Sequence, residues 1–160
     1  MLDATDVRIL EMLQDNGRVT QVDIAREVGL APSAVLERIR KLEARGTIRG
    51  YTALVAPTVA RLGLLAFVAV QSTEAPGEDR VGRELAAIPE VLEVHHVAGD
   101  DCFFVKIRAR DAEHLGELLR LRIGAVEGVR STRTTIVLGS FKESTRLPLQ
   151  GAMAAESLTA

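Results

Sequence analysis

At 160 residues, 47% of them hydrophobic and 26% charged, the chain has room for one domain or two small ones and is too apolar to be disordered. Aromatics are 3% and Trp is absent, so aliphatic side chains must build the core, and a net charge of −2 excludes a globally basic nucleic-acid coat while leaving room for a local basic patch. A single cysteine excludes an intrachain disulfide and fits a reducing cytoplasm, and neither the acidic Met1–Asp6 opening nor the short apolar run Leu62–Val70 suits a signal peptide or a bilayer span. The expectation is a cytoplasmic protein with no membrane partner.

Asp3 is placed to cap a first helix carrying Val7, Ile9, Leu10 and Leu13 at helical spacing, which Asn16-Gly17 ends. The stretch Thr20–Arg45 then reads as two helices joined by a tight turn. Thr20 is an N-cap with Asp23 at the acidic capping-box position, and Val22, Ile24, Ala25 and Val28 form one apolar stripe. Gly29 supplies the helix-ending conformation, and Pro32 opens the second helix where its missing N–H costs nothing. Val35, Ile39 and Leu42 fall on one buried face. Ser33, Glu37, Arg40 and Ala44 lie opposite, flanked by Ala34, Arg38, Lys41 and Arg45.

A short helix, a glycine turn and a longer basic helix are the parts of a helix-turn-helix, although a plain helical hairpin with a solvated charged face has the same pattern. Charge favours the former. From Arg38 to Arg49 there are five basic residues against one acid, whereas from Met1 to Glu27 there are three against six. Positive charge is thus concentrated where phosphate contacts are needed. Thr47–Val55 is β-rich with a bend at Gly50, and reads as a strand or small wing.

The ordered signs Leu2-Asp3 with Asp6, Asn16-Gly17-Arg18, Ile24-Ala25, Val28-Gly29-Leu30, Arg38-Ile39, Leu42-Glu43, Gly46, Ile48 and Gly50-Tyr51 resemble the N-terminal domain of the Lrp/AsnC (feast/famine) transcriptional regulators. The resemblance continues to about Lys142. It implies an N-terminal DNA-binding domain and a C-terminal domain that dimerises by sheet packing and binds amino acids. Two residues depart from the pattern. Ala31 stands where a capping Ser or Thr is usual, which should cost roughly 1 kcal/mol of local stability. Glu37 stands where neutral or basic residues are usual; an acid repels phosphate but can accept from cytosine N4.

A domain boundary is expected near Pro57 and Arg61–Gly63, giving residues 1–56 as the DNA-binding domain, 57–63 as linker, 64–142 as a regulatory domain and 143–160 as a tail. The apolar run Leu64–Gln71 suits a buried central strand. A helix starting at Pro76-Gly77 carries Val81, Leu85, Ala86 and Ile88 up to Pro89. Strands Val91–Val97 and Cys102–Ala109 flank the turn Gly99-Asp100-Asp101, Asp111 caps a helix with Leu115, Leu118, Leu119 and Ile123, and Ser131–Leu138 is the last strong strand. The order βαββαβ predicts an α+β chain, a winged helix-turn-helix followed by a ferredoxin-like domain. Phe67, Val68, Val70, Phe103, Val105, Ile136 and Val137 exceed what one helical layer would cover, so a homodimer through the open sheet face, with further assembly, is expected. Phe141–Leu149 can add an edge strand, and Gly151–Ala160 carries little pattern.

Adjacent strand residues point to opposite faces, so His95 and His96 cannot chelate one metal ion together. No nucleophile stands beside a base and no glycine-rich phosphate loop is present, so neither enzyme chemistry nor a cofactor is expected. The turn around Gly99, Asp100, Asp101 and Cys102 offers acceptors and open amides suited to an amino acid, but a solvated hairpin turn reads the same way. The resemblance implies the former, with the turn matching the family's Gly-x-x-Asp element and Asp101 at its acidic, effector-contacting position, and with Thr132 and Thr134 matching a Thr-x-Thr stretch after Gly128-Val129. Thr132 and Thr134 are equally readable as strand packing, and Cys102 as a small buried hydrophobe. The reading is a sequence-specific regulator that binds double-stranded DNA and responds to an apolar or small amino acid. The alternative is an architectural DNA-binding protein with little sequence preference.

Overall fold

The computed structural model describes residues 2–75 and 77–149. The chain divides into two compact units, one formed by residues up to Leu54 together with the chain from Glu143 onward, the other by Val55–Lys142.

The first unit holds three helices, α1 (Ala4–Asp15), α2 (Gln21–Val28) and α3 (Pro32–Ala44). Asp3 accepts from the Asp6 amide at 2.7 Å while the Asp6 carboxylate accepts from the Asp3 amide, a reciprocal capping box that fixes the start of α1. Thr20 caps α2 by accepting from the Asp23 amide at 3.1 Å. At Gly29 the backbone enters the left-handed region (φ 69°), and the Leu30 amide reaches back to the Ala25 carbonyl at 3.0 Å, ending α2 with a turn that a β-carbon would disfavour. Ala31 gives α3 no side-chain cap. Ile9, Leu10, Ile24, Ala25, Val35, Ile39 and Leu42 form the core. Val22, expected on the apolar stripe, is instead 54% exposed, because it lies two residues before the buried Ile24, about 200° round the helix from it.

Two expectations for this unit are corrected. Residues 47–54 form no regular strand, since no neighbouring strand pairs their N–H and C=O groups. The edge strand expected over Phe141–Leu149 is also absent; Leu149 packs against the first unit's core. The weakly patterned stretch Gly151–Ala160 lies outside the described residues.

The second unit opens with a single 3₁₀ turn, Pro57–Ala60, and continues β1 (Leu64–Ser72), α4 (Arg80–Ala86), β2 (Val91–His96), β3 (Phe103–Ala109), α5 (Ala112–Leu118) and β4 (Val129–Ile136). The sheet order β2-β3-β1-β4, antiparallel throughout, is the ferredoxin-like arrangement. The helix expected from Pro76-Gly77 begins only at Arg80, where the half-buried Glu74 accepts from the Val81 amide at 3.0 Å. Asp111 caps α5 by accepting from the His114 amide at 2.8 Å, and α5 runs on through a π turn, Leu119–Ile123.

The core of this unit takes Ala66, Val68, Val70, Phe103, Val105, Ile107 and Ala109 from the strands and Val81, Leu85, Leu115, Leu118 and Ile123 from the helical side. Val68, Val70, Phe103 and Val105 therefore face the helices. They are covered by the helical layer and add nothing to the apolar excess expected beyond it. Alternation along the strands gives the open face Leu65, Phe67, Ala69, Phe104 and Lys106 instead. The Phe67 and Phe104 rings stack on it with centroids 5.6 Å apart.

Candidate DNA-binding and effector sites

α3 presents Ser33, Glu37, Arg40 and Lys41 to solvent, with Arg45 exposed at its C-cap and Ala34 half-buried. Arg38 is the exception. Its Nη1 lies 2.6 Å from Asp3 and 2.7 Å from Asp6, so it joins the middle of α3 to the capping box of α1. The Asp6 amide, and after it the Arg38 guanidinium, hold the Asp3 carboxyl below the usual aspartate range. Arg38 is thus engaged within its own unit, where it positions α3 against the start of α1. Lys41 pairs with Glu37 at 2.6 Å across one helical turn, which holds the Glu37 carboxyl below its usual range. In the first unit, Arg18, Arg40, Arg45 and Arg49 have side chains without an ion pair among the described residues, so they are that unit's cations open to a polyanion. Arg49 escaped the sequence reading of the site, although the basic run that contains it was visible.

At the C-terminal end of α3, the Glu43 carboxylate accepts from the Tyr51 hydroxyl at 3.0 Å. Burial, reinforced by that bond, raises the Tyr51 phenol above its ordinary pKa. The segment expected to form a wing is therefore tied to the second helix of the motif by a side chain.

In the second unit, the turn between β2 and β3 closes with the Val97 amide donating to the Cys102 carbonyl at 3.0 Å, and Gly99 sits at φ 128°. The Gln71 amide nitrogen donates to the Asp100 carbonyl at 3.3 Å, and Gln71 Oε1 accepts from the Ser131 hydroxyl at 2.8 Å. Asp101 Oδ2 meets Arg133 Nη2 at 2.7 Å. This cluster of Gln71, Asp100, Asp101, Ser131 and Arg133 links the turn to one face of the β1–β4 pair. Gln71, Ser131 and Arg133 were missed in the sequence because only the strand register brings them to the turn.

The same register separates two of the expected residues from that cluster. Thr132 stands opposite Val70 and Thr134 opposite Val68, on the helix-facing side, whereas Arg133 stands opposite Ala69 on the open face. Within one chain, Thr132 and Thr134 do not share a face with Arg133. Cys102 also differs from expectation: it is half-buried, with its sulfur accepting from the Ser72 amide at 3.4 Å. Counted from Gly99, a Gly-x-x-Asp spacing falls on Cys102, so Asp101 is its neighbour and not its acidic position. His95 contacts Glu93 on the open face, while His96 packs against Phe103 toward the core, a division that strand alternation required. Among the described residues no group of three or more His, Cys, Asp or Glu side chains could hold a metal ion, and no helix is long and apolar enough to cross a membrane.

Residues 2–49 match the winged helix-turn-helix DNA-binding model, and residues 65–147 match the Lrp/AsnC ligand binding domain. The chain is 40% identical over 149 residues to the HTH-type transcriptional regulator FL11 of Pyrococcus horikoshii, covering 93% of this chain and 97% of that protein. It is 37% identical over 153 residues to the leucine-responsive regulatory protein of Haemophilus influenzae, covering 93% and 91% respectively. A transcriptional regulator of Neisseria meningitidis, solved as a complex with L-Met, superposes with a TM-score of 0.89 at 32% identity, over 96% of this chain and all of that one. With the same two domains in the same order, this chain belongs to the Lrp/AsnC family of DNA-binding transcriptional regulators.

Proposed function

We propose that this chain is a cytoplasmic, homo-oligomeric regulator in which α3 reads the major groove and the Gly99–Cys102 turn senses a free amino acid. A leucine-responsive relative and a solved L-Met complex support the effector class. The observation that carries the reading is the Asp101–Arg133 pair at 2.7 Å. A free amino acid carries a cation and an anion a few bonds apart. Its ammonium can replace Arg133 as the partner of Asp101, and its carboxylate can replace Asp101 as the partner of Arg133. Arg133 is 77% exposed at its side chain and Asp101 24%, so a ligand can reach the pair. Phe104, 40% exposed, and the half-buried Phe67 that stacks on it supply apolar surface through which two copies would associate, in keeping with a dimer. Thr132 and Thr134 enter such a site only if a second copy brings the other face of β4 to it.

On α3, Arg40 and Arg45 are the phosphate contacts, and Glu37 with Lys41 occupies the base-reading surface. The test is a thermal-shift screen of the twenty amino acids, followed by calorimetry on Asp101→Ala and Arg133→Ala. Each variant should lose about 1.5–3 kcal/mol of affinity for the amino acid that scores, the scale of a hydrogen bond to a charged group. Undiminished affinity in both would move the site elsewhere. One observation favours a second reading, that of architectural binding: the Glu37–Lys41 pair neutralises the base-reading surface and leaves the unpaired arginines to dominate. Similar affinity and salt dependence for random and operator DNA would select it.

A further inference from the structure

The first unit is completed by the far end of the chain. Gln14 donates its side-chain amide to the Leu147 carbonyl at 3.1 Å and accepts from the Leu147 amide at 2.7 Å, a two-point pairing that fixes both register and direction. Arg146 Nη1 pairs with Asp15, the last residue of α1. α1 has no basic residue in its final turn and ends on an acid, an unfavourable arrangement at the negative end of a helix dipole. Arg146 supplies the missing cation. Leu149 then packs against the core that α1 shares with α2 and α3.

These contacts are a coherent docking of one segment on one helix end: a bidentate backbone pairing, a dipole-matched ion pair and an apolar anchor, all within four residues. The docked segment follows β4 in the chain after residues 137–142, which have no regular structure. Ile136 ends that strand, and the chain that follows it carries Arg146 and Leu147 to α1. The opposite end of α1 is fastened to α3 through Asp3, Asp6 and Arg38. Along the chain, α1 is thus joined at one end to the segment that follows β4 and at the other to the helix that presents Glu37 and Arg40.

We propose that the segment Glu143–Leu149 is a strap through which β4 controls α1, and through α1 the placement of α3. The proposal rests on the effector reading above for the signal, and on Gln14, Asp15, Arg146 and Leu147 for the connection. A change at Arg133 alters where β4 ends, the strap conveys it to the last turn of α1, and the Arg38 ion pairs pass it to α3.

The test compares the full chain with its Gln14→Ala/Arg146→Ala variant by hydrogen exchange and by DNA binding. Amides in the last turn of α1 and in residues 143–149 should exchange at least tenfold faster in the variant, with the β1–β4 ladder unchanged. Gln14→Glu, which keeps the acceptor for Leu147 but loses the donor, should fall between parent and double variant. The change in affinity for a DNA duplex that an equimolar mixture of the twenty amino acids produces in the parent should vanish in the double variant, while binding without amino acids persists. Unaltered protection of α1, or an amino-acid response that survives in the double variant, overturns the strap. The exchange arm needs no effector, so a parent indifferent to the mixture would sink the effector reading and leave the strap to stand or fall on the protection of α1.

Discussion

The two units of this chain hold together by different means. The sheet unit buries fourteen core residues drawn from two of its strands, β1 and β3, and from its helical side, with Val68, Val70, Val81, Leu85, Val105, Ile107 and Ile123 fully enclosed. The helix-turn-helix unit has seven, and adds side-chain devices around them: the Asp3–Asp6 capping box, the Arg38 ion pairs, the Arg8–Glu27 pair at 2.6 Å and the strap on Gln14. A three-helix unit this small buries too little apolar surface to be secure, so it leans on polar contacts that a larger core would not need. The difference carries a functional meaning. A unit held partly by ion pairs has an adjustable geometry, whereas a unit held by a close-packed sheet keeps the side chains on its strands in register.

The comparison is broken most directly by a cavity in the smaller core. Ile24 is fully buried, and Ile24→Ala should cost about 2–5 kcal/mol, a large share of what such a unit possesses. Scanning calorimetry should then show the helix-turn-helix transition falling or disappearing while the sheet transition stays in place. If both units lost stability together, their independence would be wrong.

A smaller effect tests the polar devices. Arg38→Met keeps the aliphatic stem but abandons Asp6, whose side chain is only 12% exposed, so a loss of about 1–2 kcal/mol is expected, between the values for exposed and buried pairs. This contact also sets a pH dependence. The Asp3 carboxyl is depressed in the folded state, first by the Asp6 amide and second by Arg38. Its contribution is therefore fully present above the ordinary aspartate pKa of ~4 and is lost as pH falls through the lower folded value. Arg38→Met should flatten that acid loss only in part, because the Asp6 amide remains. Urea titrations at pH 7 and pH 3 measure it, and an equal acid loss in parent and variant would show that Arg38 contributes nothing to the pairing.

These particular residues also mark how far the sequence could be read. Thr20, Gly29, Pro32 and Asp111 act within their own turn of chain, so their roles were visible as local chemistry, and the βαββαβ order followed from alternating periods. Arg38 looked like a phosphate contact because nothing local reveals a partner 35 residues earlier. The strap was invisible for the same reason, its contacts spanning more than 130 residues. At the effector turn, period-two alternation correctly put Thr132 and Thr134 on one face. It could not say which face, because that is set by the register of β4 against β1. Arg133, between them, took the side facing Asp101. The strand expected over Thr47–Val55 is absent for want of a partner strand among the described residues of its own unit, a fact that composition does not contain.

A gain of about 1 kcal/mol is expected from Ala31→Ser. The extended Ala31 backbone already has N-cap geometry, and α3 lacks only an acceptor for its first free amides. The gain should appear in the helix-turn-helix transition alone. A null result would mean that solvent already satisfies those amides as well as a hydroxyl can.

The smallest effect on stability separates folding from DNA binding. Arg40 is exposed on the outward side of α3 and forms no ion pair among the described residues, so Arg40→Ala should alter stability by no more than about 0.5 kcal/mol. Its effect belongs to the polyanion. Removing one phosphate contact should weaken duplex binding for random and operator DNA alike and lower the salt slope by about one ion. Lys41→Ala is the informative contrast. Lys41 is engaged by Glu37, so its loss removes one cation and also frees a carboxylate to repel the backbone. The penalty at low salt should therefore exceed that of Arg40→Ala, although both substitutions delete a single positive charge. Equal penalties would mean that the Glu37–Lys41 pair opens on DNA, leaving Glu37 to a base edge in both proteins.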